Sequence, residues 1–71
     1  MPKLPHVSGA LAIRTLERIG FVKVRQSGSH VIMRLGPKAC VVPMHSEIKI
    51  GTLAGVLRQA DVSPEEFIAA L

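Results

Sequence analysis

His6, His30 and His45 are the side chains of this sequence best suited to moving protons at neutral pH, because free imidazole titrates near ~6.5. His30 has the most suggestive company. It follows the run Arg25-Gln26-Ser27-Gly28-Ser29, with Lys23 upstream and Arg34 downstream. An imidazole among cations, beside a Gly-Ser turn rich in backbone donors, suits acid–base work on a phosphodiester. RNA carries its own nucleophile, the 2′-hydroxyl. A base removes its proton, the oxygen attacks phosphorus, and an acid protonates the departing 5′-oxygen. Cations and N–H donors hold the charge on the phosphoryl oxygens. DNA has no 2′-hydroxyl, so this route acts on RNA alone.

No metal or other cofactor is expected. The chemistry needs none, the five acidic residues are scattered, and the three histidines are far apart in the chain. A single cysteine, Cys40, cannot build a cysteine-based zinc site. Cys40 lies in an apolar run and is expected in the core, since reactive thiols need an accessible, electropositive setting. Met44 is expected to pack, and His6 is assigned no role. Taken without further context, Lys23, Arg25 and Arg34 also describe an ordinary solvated strand face, and Ser27-Gly28-Ser29 an ordinary turn.

These residues need a frame. Residues 1–7 read as an extended, proline-punctuated start. Ser8 is a helix N-cap, and Ala12, Ile13, Leu16 and Ile19 mark a helical stripe over 9–19 that Gly20 ends. Strands are expected at 21–26, 30–35 and 39–42, with turns at Ser27-Gly28-Ser29 and Gly36-Pro37-Lys38 and a stop at Pro43. Residues 44–50 read as irregular. A helix at 53–60 follows, with Thr52 as cap. Ser63-Pro64-Glu65-Glu66 opens a last helix over 64–71 in the capping-box arrangement, burying Phe67, Ile68 and Leu71. The fold class is α+β, in the order α-β-β-β-α-α. A three-stranded antiparallel sheet has its helices on one face, because they are the available cover for its apolar side.

Alternation then sorts the strands. Val22 and Val24, with Val31, Met33 and Leu35, are expected against the helices. Lys23, Arg25, His30, Ile32 and Arg34 are expected on the open face. If Arg25 stands opposite His30, then Lys23 opposes Ile32 and Phe21 opposes Arg34, gathering the cations around the imidazole. A slip of one residue would scatter them.

Composition sets outer bounds. Seventy-one residues make a single domain spanning 1–71, which buries only about 60% of its unfolded surface. An apolar fraction of 48% excludes a disordered chain. One cysteine argues against a secreted disulfide scaffold. No apolar stretch approaches the ~20 residues of a membrane span, and the start is not expected to act as a signal peptide. A cytoplasmic protein with no membrane partner is expected. All nine Lys and Arg lie in residues 1–60, against Glu17 and Glu47 alone, while Asp61, Glu65 and Glu66 end the chain. A basic body of this kind suits a polyanionic partner.

In order and spacing the sequence resembles the HicA toxins of bacterial HicA–HicB toxin–antitoxin systems, from about Ser8 to Leu71. The resemblance rests on Leu16-Glu17-Arg18-Ile19-Gly20-Phe21, and on Arg25-Gln26-Ser27-Gly28-Ser29-His30, which is similar to the family's Gly-Ser-His signature. Val42-Pro43-Met44-His45 is similar to its Val/Ile-Pro-x-His segment. Gly51-Thr52-Leu53, Leu57-Arg58-Gln59-Ala60 and Val62-Ser63-Pro64-Glu65-Glu66-Phe67 complete it. The resemblance implies a fold like the double-stranded-RNA-binding domain and an mRNA-cleaving ribonuclease with His30 as its catalytic residue. On the open-face reading, the RNA contacts are expected from Lys23, Arg25, Ser27, Gly28, Ser29 and Arg34. The resemblance also implies a cytoplasmic HicB-like antitoxin that neutralises the toxin, and that represses the operon so that this chain binds no DNA directly. Val31 departs from the many relatives with a polar or aromatic residue after the histidine. His45 is a candidate second proton-transfer group if the chain after Pro43 folds back. Two other classes stay open on the residues alone: a non-catalytic RNA-binding module, and a protein-interaction domain whose basic face meets an acidic partner.

Overall fold

The computed structural model describes residues 3–71, which run α1 (Gly9–Ile19), β1 (Val22–Ser27), β2 (His30–Leu35), β3 (Lys38–Pro43), α2 (Ile50–Ala60) and α3 (Pro64–Ala70). The three strands form an antiparallel sheet in the order β1-β2-β3, so the α+β arrangement expected from the sequence is the one observed. Of the expected extended start, residues 1 and 2 lie outside the described ones, and Val7 makes an isolated antiparallel bridge to Ile48.

Local chemistry accounts for the element ends. The Ser8 side chain accepts from the Leu11 N–H and that of Ser63 from the Glu66 N–H, closing the first turns of α1 and α3. α1 stops at Gly20, whose φ of 127° a side chain would resist. The Phe21 N–H then reaches back to the Leu16 carbonyl, which turns the chain into the sheet. α2 begins three residues earlier than its apolar stripe suggests. Its N-cap is Lys49, with no side-chain cap bond, so Thr52 is not the cap.

Both strand turns have two residues. Ser27 pairs with His30 across Gly28-Ser29, and Leu35 with Lys38 across Gly36-Pro37. In each the first turn residue is a glycine with φ near +60°, as tight right-twisting hairpins require. β1 is shifted one residue toward its turn and β3 is longer than expected in consequence, with Pro43 the last residue of β3 rather than a stop before it. Pro43 faces His30 in a position whose N–H is not called on by β2, so the missing donor costs the ladder nothing.

The core lies between one face of the sheet and the helices. Val31 and Met33 of β2 and Cys40 and Val42 of β3 meet Ala12, Leu16, Leu53, Val56, Leu57 and Phe67, all buried. Among the described residues Thr15 is a buried polar side chain, and its hydroxyl donates to the Leu11 carbonyl at 2.8 Å. Met44 and Leu71, expected to pack, are exposed.

The first strand departs from its expected parity. Val22 and Val24 are 61% and 52% exposed, whereas Phe21 is 2% exposed. The strand starts directly after the α1 terminus, and one residue of the Phe21/Val22 pair must enter the core. The phenyl ring buries more apolar surface than valine, so it decides the parity. A bulge between Lys23 and Arg25 then resets the alternation.

Burial pushes the Cys40 thiol up to about 11 from 9.0, because the interior disfavours thiolate. Cys40 should therefore resist alkylation at neutral pH until the chain unfolds, as thiol labelling against urea would measure. The sign of the linkage follows: above pH 9 the unfolded thiol ionises while the folded one does not. Stability should fall as pH rises from 9 toward 11.

Candidate functional site

Residues opposite one another in antiparallel strands share a face, so the pairing defines the open face in three rows. The first is Ser27–His30–Pro43, the second Arg25–Ile32–Val41, the third Val22–Arg34–Ala39. His30, Arg25, Arg34, Ser27, Gly28 and Ser29 are all exposed. The opposite face carries Gln26–Val31–Val42 and Lys23–Met33–Cys40.

This corrects the expected register. Ser27, not Arg25, stands opposite His30, because the turn has two residues rather than four. Arg25 opposes Ile32 and sits one row from His30, at the diagonal separation of roughly 7–8 Å between Cα atoms. Val22, not Phe21, opposes Arg34. Arg34 lies four residues along β2 from His30, about 13 Å at ~3.3 Å per residue. Lys23 is on the other face, since the bulge places an extra residue between it and Arg25. Its Nζ donates to Gln26 Oε1 at 3.1 Å. The cation beside His30 is Arg25.

Two features of the site were missed in the sequence. Gln26 also donates through Nε2 to the Gly28 carbonyl at 3.0 Å, tying the turn to its own strand. The segment after β3 lies against the turn: the Met44 N–H donates to the Ser29 carbonyl at 2.6 Å. On its far side the Gly9 N–H donates to the His45 carbonyl at 2.8 Å. Gly9 is buried, and a Cβ there would run into the Pro43 carbonyl oxygen and sit 2.8 Å from Met44 Cα. The first residue of α1 is a glycine because the Pro43–His45 backbone occupies the space of a side chain. A polar residue ahead of Ser-Gly-Ser and a glycine directly after an N-cap are the signals that could have marked these roles.

The remaining candidates separate. His6 stands 3.8 Å from Glu47, both exposed. Cys40 is in the core. Among the described residues no three of His, Cys, Asp and Glu come together as a metal-ligand group, and no helix is long and apolar enough to cross a membrane. The arrangement offers an exposed imidazole, a guanidinium one row away, and the hydroxyls and backbone of Ser27-Gly28-Ser29. These are the parts of an acid–base site for a phosphodiester. A family model described as "HicA toxin of bacterial toxin-antitoxin" matches residues 11–62, which include the whole sheet, His45 and α2. No curated protein sequence matches the chain.

Proposed function

Because this chain belongs to the HicA toxin family of bacterial toxin–antitoxin systems, and is thus a toxin with an antitoxin counterpart, we propose that it is a metal-independent endoribonuclease that cleaves mRNA in the cytoplasm with His30 as catalytic residue. The observation that carries this reading is the position of His30. It is exposed at the start of the central strand, immediately after the Gly28-Ser29 turn and one row from Arg25.

In this reading the His30 imidazole removes the 2′-hydroxyl proton. The freed oxygen attacks the adjacent phosphorus, and the bond to the 5′-oxygen breaks. Arg25 holds the phosphoryl oxygens that gain charge, with uncharged donors from Ser27, Gly28 and Ser29. Arg34, two rows away, engages a neighbouring phosphate, and Lys23 reaches RNA only around the edge of β1. The open face also carries Val22, Ile32 and Val41. A basic face with an apolar stripe suits a HicB-like antitoxin that covers the site and neutralises it.

The test is cleavage of an RNA oligonucleotide by the isolated chain in excess EDTA. Cleavage should persist, leaving a 2′,3′-cyclic phosphate and a 5′-hydroxyl, and a single 2′-deoxy substitution at the cut site should block it. Loss of cleavage in EDTA, or 5′-phosphate ends, would refute the mechanism. Retention of RNA with no cleavage at all would favour the binding-module reading.

A further inference from the structure

The proposed reaction needs an acid as well as a base, and the geometry points to His45. We infer that His45 protonates the departing 5′-oxygen while His30 takes the 2′-hydroxyl proton; this rests on the ribonuclease reading above. Two observations converge. Pro43 is directly opposite His30. The Met44 N–H to Ser29 carbonyl bond flanks that pair and holds the residue after β3 against the turn. Carrying the alternation of β3 on through Met44 puts His45 on the side of Pro43 and diagonal to His30, roughly 7–8 Å away between Cα atoms. That spacing leaves room for a phosphate with an imidazole on either side.

The segment is also held. The His45 carbonyl accepts from Gly9, and Gly9 packs against the backbone of Pro43, Met44 and His45. A backbone fixed on both sides positions a proton donor, whereas a free loop would not. The His45 side chain is exposed, and no hydrogen bond or ion pair within the described residues engages it. His6, the remaining imidazole, faces Glu47.

The step balances. The O2′–H proton goes to His30, the O2′–P bond forms, the P–O5′ bond breaks, and the imidazolium of His45 delivers its proton to O5′. The products are a 2′,3′-cyclic phosphate and a 5′-hydroxyl, with the enzyme's proton moved from one histidine to the other.

A change of leaving group tests this. Sulfur in place of the bridging 5′-oxygen departs as thiolate and needs no proton. The full chain, its His45→Ala and His45→Gln variants and His30→Ala are assayed on an oligoribonucleotide and on its 5′-thio counterpart. Both His45 variants should lose about 10²-fold or more on the oxygen substrate, yet cleave the sulfur substrate within a few-fold of wild type. The sulfur substrate also reports folding, since a misfolded variant would fail on both. Equal losses on both substrates, or no loss on the oxygen substrate, would overturn the role of His45. If His30→Ala cleaves both substrates at wild-type rates, His30 is not the base, and if the full chain cleaves neither substrate, the ribonuclease reading itself falls. The two failures are therefore distinguishable.

Discussion

Replacing His30 with alanine is expected to slow RNA cleavage by about 10²–10⁴-fold, the usual contribution of a positioned acid or base, and to abolish growth arrest. RNA retention in a gel shift at low salt should survive, because retention depends on the phosphate contacts of the basic face rather than on one imidazole. The fold should survive too. His30 is exposed, its backbone pairing does not depend on its side chain, and surface substitutions of this kind are usually worth within about 0.5 kcal/mol. The measurement is a pair: single-turnover cleavage and a thermal melt on the same preparation. A variant that melts like wild type and still arrests growth would remove His30 from the mechanism. A variant that loses cleavage and RNA retention together would make the residue a binding contact.

His30 was legible in the sequence for a simple reason. Val31 and Met33 are both in the core, so the parity of the central strand is set by its own apolar residues and the imidazole must face the other way. The edge strand offered no such guarantee. Val22 and Val24 alternate as cleanly as Val31 and Met33 do, yet β1 is exposed along its whole length, and the residue that fixes its parity, Phe21, stands before it. A bulge leaves no mark in the residue pattern, so Lys23 and Arg25 read as partners on one face when the chain separates them. The caps at Ser8 and Ser63 and the two turn glycines were visible because one side chain or one φ angle decides each. Ile48 was not visible. It sits in a polar stretch read as irregular, but it is fully buried and takes a backbone bond to Val7. The closeness of His45 to the Ser29 turn was likewise invisible, since it depends on a long-range bond between Met44 and Ser29 and on a glycine 36 residues earlier in the chain.

A second substitution, far from the open face, should silence the toxin by another route. Phe67 is fully buried, and truncating a core phenylalanine to alanine costs about 3–5 kcal/mol. A domain of this length has in all about 4–11 kcal/mol at ~0.05–0.15 per residue, and small domains tend to the lower end. Phe67→Ala should therefore lower the thermal midpoint by many degrees and leave a sizeable unfolded fraction at growth temperature, as urea and thermal unfolding would measure. The effect should also be directional. Phe67 belongs to α3, which lies beyond the residues matched by the family and packs against α1, where Arg18 donates to the Ala70 carbonyl at 3.1 Å. α1 in turn places Gly9 against the Pro43–His45 backbone. Loosening α3 thus slackens the support of the site through α1, before global unfolding, while the hairpins that carry His30 and Arg25 remain paired. Amide exchange in Phe67→Ala should accelerate first in α3 and at the Gly9 and Met44 amides, and last in β2. Uniform acceleration across the sheet would mean that α3 acts only through overall stability. A melt unchanged from wild type would mean that the last helix contributes no core at all.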